Sequence, residues 1–123
     1  MVPVIEVKGL SKKFKDVSAV EDLSFMVEKG EVYGFLGQNG AGKSTTIRML
    51  LTLIRPTSGV IHVFGKELGS NKINILRRTG AMIEKPDLYK YLTGLQNLSM
   101  FARLSGLRPS KQELMRQLER VGL

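Results

Sequence analysis

Gly37, Gly42, Lys43 and Ser44 stand in the arrangement G-x-x-x-x-G-K-[ST], filled here as Gly37 Gln38 Asn39 Gly40 Ala41 Gly42 Lys43 Ser44. Each constrained position answers a need of phosphate chemistry. Glycines leave room for successive backbone N–H groups to turn inward around an anion, and a helix opening at the end of the loop adds its positive pole. The lysine brings a mobile ammonium to the β- and γ-phosphates of a nucleotide, and the adjoining hydroxyl is placed to ligate the Mg²⁺ that travels with them. With glycine at about 7% of average usage, an accidental match in a chain of this length is expected well under about 1% of the time. The competing reading is a glycine-rich structural turn.

Such a loop works only between a strand and a helix. Val32 Tyr33 Gly34 Phe35 Leu36, a short apolar run bounded by glycines, predicts a buried strand directly before it. From Ser44 the residues Ile47, Leu50, Leu51 and Ile54 recur at helical spacing, and Pro56 with Gly59 marks the end. Upstream, Val4–Val7 and Val20–Val27 read as strands of a small antiparallel layer, with a polar segment between them. Downstream come a strand over Val60–Gly65, a short amphipathic helix over Lys72–Arg78, a strand over Thr79–Ile83 and a helical region from about Gly94 to Leu107. Ser110 and Glu113 form a capping box for a last helix, with Leu114, Leu118 and Val121 on one face and Gly122 at its end.

The 123 residues suffice for one domain with a real core, or for part of one. An apolar share of 42% beside 24% charged residues excludes a disordered or fibrous class. Without cysteine the chain has neither disulfides nor a thiolate metal site, which suits an intracellular protein. No secretory signal pattern occurs at the amino terminus. The longest apolar run, Met49–Ile54, lies between Arg48 and Arg55, far short of the roughly 20 residues that cross a bilayer. A net charge of +8 invites a polyanion, but the basic residues are scattered (Lys12, Lys13 and Lys15; Arg77 and Arg78; Arg116 and Arg120), so no nucleic-acid partner is expected.

Three blocks together are more specific than the loop alone: Val7–Phe14, Tyr33–Leu50 and Arg55–Gly59. With their spacing, the chain resembles the ATP-binding cassette ATPases, and within them the subunits of bacitracin-resistance and lantibiotic-immunity exporters. The resemblance implies an α/β fold: a P-loop NTPase with a RecA-like core, an amino-terminal antiparallel β-subdomain and the start of an α-helical subdomain. The expected division is 1–93 for the β-subdomain and partial core, and 94–123 for the helical start. ATP and Mg²⁺ are the implied cofactors, held by Gly37, Gln38, Asn39, Gly40, Ala41, Gly42, Lys43, Ser44 and Thr45. By family position Phe14 stacks on adenine; its place in a lysine-rich stretch favours this over burial and does not exclude GTP. The metal ligands implied are Ser44 and Glu84.

Glu84 is a departure, since the family usually has glutamine at this position, touching Mg²⁺ and the attacking water. A carboxylate can still ligate Mg²⁺ but adds charge beside the γ-phosphate; the replacement is typical of the bacitracin and lantibiotic subgroup, and an exposed loop glutamate is the alternative. His62, the only histidine, reads as a strand or surface residue rather than the family's switch histidine, and Gly106 reads as a helix end rather than the start of a signature motif.

The signature motif, the acidic Mg²⁺-binding strand, the water-positioning glutamate and the switch histidine are not in this sequence, so an incomplete cassette that does not turn over alone is expected. In the complete protein the resemblance implies a second ATPase subunit, an integral membrane transporter subunit, and a cytoplasmic place on the inner face of the membrane. The transported substrate would be a peptide antibiotic or similar molecule. A truncated, non-hydrolytic nucleotide-binding or interaction module is the alternative; a translation-associated cassette protein is a lesser one, lacking an evident inserted arm.

Overall fold

The computed structural model describes residues 2–37, 42–85 and 88–123. Strands β1 (Ile5–Phe14), β2 (Val17–Val27), β3 (Ser58–Val63) and β4 (Lys66–Glu67) form one antiparallel sheet in the order β2-β1-β3-β4. Direct antiparallel partners point to the same side. Val7 faces Phe25 and Ile61, and Ile5 faces Val27 and Val63, so these rows make the apolar face. Glu6, His62 and Glu67 line up on the other. Val7, Leu10, Val20, Ile61 and Val63 form the core with Met49 of α1 (Lys43–Leu50), Leu68, and Ile75 of α2 (Lys72–Leu76). His62 is thus a strand residue, as expected.

The first two strands are longer than their apolar cores. The polar segment between them continues the ladder as far as Phe14↔Val17, around a two-residue turn with Lys15 at φ 49°. Alternation fades there because neither face is covered, so the sequence carries no apolar signal for it. Both ladders of β1 shift register near Gly9 and Leu10. The bulge is stitched by serines: Gly9 N–H donates to Ser24 Oγ at 2.8 Å and Asp22 N–H to Ser11 Oγ at 2.9 Å.

Two expected strands are corrected. Val32–Leu36 and Thr79–Ile83 have no strand pairing among the described residues. A buried strand exists only through neighbours on both edges, and the four paired strands are elsewhere. Val32–Leu36 nonetheless keeps a period of two. Tyr33 and Phe35 pack on Phe25 at ring-centroid distances of 5.2 and 5.7 Å, while Val32 and Leu36 are 97% and 93% exposed. The helix after the loop ends at Leu50, short of Pro56, where the Leu51 N–H still reaches the Ile47 carbonyl and Thr52 takes φ 62°.

The chain divides into two compact units, Met1–Glu84 and Lys85–Leu123. In the second, α3 (Gly94–Leu104) and α4 (Lys111–Arg120) carry capping boxes, Thr93 with Gln96 and Ser110 with Glu113. Gly106 and Gly122 close the two helices, their N–H groups donating to Arg103 and Glu119. Leu114 is buried as expected, whereas Val121, expected on the same face, is 73% exposed beyond the last turn.

Candidate functional site

Gly42 stands where the glycine-rich segment meets α1. It sits at φ 85° as the N-cap of α1, and a Cβ there would lie 2.2 Å from the Ala19 carbonyl oxygen and 2.9 Å from Val20 Cγ2. Only glycine accepts both the left-handed backbone and this approach to β2. From the other side Thr46, fully buried, donates both its N–H and its hydroxyl to the Gly42 carbonyl at 2.8 Å. The loop's end is therefore locked between β2 and the first turn of α1.

Among the described residues no side chain caps α1, and no acidic residue occupies its first turn. α3 and α4, by contrast, satisfy their first-turn N–H groups with capping boxes of their own. Lys43 Nζ donates to the Gly37 carbonyl, so the ammonium lies across the base of the loop. Ser44 and Thr45 are half-buried in the first turn of α1. Gln38, Asn39, Gly40 and Ala41, expected to bind phosphate, lie outside the described residues.

Phe14 ends β1 outside the core; it is 45% exposed, with Lys12 Nζ 5.1 Å from its ring centroid. Glu84 has φ 58° and places Oε1 3.1 Å from Arg48 Nη2. Residues four apart share a helix face, so Arg48 holds Glu84 on the side of α1 that also carries Ser44. Sequence reasoning gave no role to Arg48 or Thr46: each stands four residues after a candidate site residue, Ser44 and Gly42 respectively, but the spacing does not record the contact of Arg48 with Glu84, 36 positions away.

Among the described residues no three of His, Cys, Asp and Glu gather to hold a metal ion. No helix among the described residues is long and apolar enough to cross a membrane.

An antiparallel sheet packed beside a glycine loop that opens a helix is the front of a phosphate-loop nucleotide-binding domain. Residues 20–123 match the ABC transporter family, a nucleotide-binding family, and the chain belongs to it. It is 46% identical over its whole length to the bacitracin transport ATP-binding protein BcrA of Bacillus licheniformis, and spans 40% of that protein's length. It is also 46% identical, over 83% of its length and 31% of the relative's, to the daunorubicin/doxorubicin resistance ATP-binding protein DrrA of Streptomyces peucetius. A solved ATP-binding subunit of an ABC transporter superposes with a TM-score of 0.72 at 36% identity, over 85% of this chain and 43% of that one. The partial α/β cassette expected from the sequence is thereby established.

Proposed function

We propose that this chain supplies the Mg-ATP-binding front part of an exporter ATPase whose substrate is a peptide antibiotic or similar molecule. The observation that carries this is the start of α1, where Gly42 is locked in a left-handed conformation against β2 with Lys43 and Ser44 directly after it. The polyphosphate seats on the backbone N–H groups of 37–44, Lys43 leaves the Gly37 carbonyl for the β- and γ-phosphates, and Phe14 covers the adenine. Ser44 and Glu84 would hold Mg²⁺, which when bound would supply charge neutralisation at the phosphates. Phosphoryl transfer to water is mainly positioning and charge stabilisation, and this chain contributes the loop, the ammonium and the hydroxyl. In the whole protein, closure against a second ATPase subunit and contact with a membrane permease complete the cycle at the inner membrane face. The division of 1–93 as β-subdomain and core, with 94–123 opening a helical subdomain, belongs to the same reading.

The test is Mg-ATP titration by calorimetry at fixed salt. Lys43→Ala is expected to weaken binding about ten- to hundredfold, the loss of a charge-assisted hydrogen bond of about 1.5–3 kcal/mol. No binding by the unaltered protein would leave the interaction-module reading instead. Phe14→Ala is expected to cost about tenfold in ATP affinity, from lost base stacking, with tripolyphosphate binding unchanged. Because the ring is 45% exposed, stability should stay within about 0.5 kcal/mol. Equal losses for ATP and tripolyphosphate would remove Phe14 from the adenine site.

A further inference from the structure

A carboxylate at position 84 raises a physical problem that the structure answers. Placed near a nucleotide's terminal phosphates, Glu84 brings a negative charge toward a group that is already highly anionic. The Glu84 carboxylate is met by the Arg48 guanidinium, Nη2 to Oε1 at 3.1 Å, across 36 residues of sequence. Only one of its two oxygens has this partner among the described residues. Arg48 lies one helical turn after Ser44, so the cation and the magnesium-ligating hydroxyl share a face of α1. Glu84 reaches Arg48 from a left-handed backbone, φ 58°, a conformation rarely adopted by a long side chain outside a constrained turn.

We infer that Arg48 is a positioning residue for Glu84. It supplies the counter-charge that lets a glutamate occupy this place beside the nucleotide, and it fixes one carboxylate oxygen, leaving the other for a metal to engage. The inference rests on the nucleotide-site reading above. It assigns Arg48 no contact with phosphate, and it ties the arginine to the acid: with glutamine at position 84 there is no charge to neutralise, and the arginine becomes dispensable.

A double-mutant cycle read by Mg-ATP calorimetry on the full-length protein tests this coupling. Arg48→Gln alone is expected to weaken Mg-ATP binding roughly three- to tenfold, a coupling ordinary for directly contacting charged groups. In a Glu84→Gln background the same change should have an effect below about twofold. Arg48→Lys should recover part of the loss, because a point charge replaces the fork. Melting temperatures of all variants should agree closely, since the pair is exposed, at 39% for Arg48 and 63% for Glu84. An equal loss from Arg48→Gln in both backgrounds would overturn the inference, assigning Arg48 to the phosphates or to the helix itself. No loss in either background would overturn it too. If the unaltered protein binds no Mg-ATP, it is the nucleotide-site reading that fails; binding that is lost in Lys43→Ala, with additive Arg48 and Glu84 effects, sinks this inference alone.

Discussion

Gly59→Ala is expected to destabilise the amino-terminal unit by about 3–5 kcal/mol, most of the stability of a small domain. Gly59 enters β3 at φ 93°, where an alanine is strained by its own backbone. The added Cβ would also stand 2.4 Å from the Gly9 carbonyl oxygen and 2.6 Å from Leu10 Cα. These neighbours are main-chain atoms of the β1 bulge and cannot rotate aside. Moving them would drag Leu10, fully buried, and the bond from Thr57 N–H to the Ser11 carbonyl. Urea unfolding is the measurement; a midpoint shift equivalent to less than about 1 kcal/mol would show that β3 can slide away from the bulge.

Asn97→Ala is expected to cost about 2–4 kcal/mol in the unit Lys85–Leu123, because one buried amide organises a whole turn. Its Oδ1 accepts from Tyr89 N–H at 2.9 Å, and its Nδ2 donates to the carbonyls of Tyr89, Leu92 and Thr93 at 3.1, 3.3 and 3.0 Å. Asn97 is 6% exposed, so alanine leaves the three carbonyls without this donor and the Tyr89 N–H without its acceptor. Asn97→Asp separates hydrogen bonding from packing. It keeps the volume but turns a carboxylate toward three carbonyl oxygens, and should be at least as damaging as alanine. Hydrogen exchange at the amides of 88–97 would report both variants; unchanged protection would mean that the turn holds without the amide.

What could be read in the chain, and what could not, divides along the range of the forces involved. The helix that starts at Lys43, the capping box at Ser110 and the helix ends at Gly106 and Gly122 are local: each depends on residues within about one helical turn, and spacing displays it. The antiparallel pairing of the first two strands was legible from their apolar runs, but their full length was not, because the polar end of the hairpin carries no alternation. Val32–Leu36 and Thr79–Ile83 have the composition of strands and yet pair with nothing among the described residues, since a ladder is made by its partners.

At the proposed site, the sequence alone supplied the candidate chemical parts: the glycines, Lys43, Ser44, the aromatic at position 14 and the acid at position 84. Tertiary structure decided which of them are held, and by what. It placed Ala19 and Val20 so tightly against Gly42 that no other residue fits, and it brought Arg48 to Glu84 across 36 positions. Contacts of that kind are fixed by how distant segments pack, and no local spacing records them.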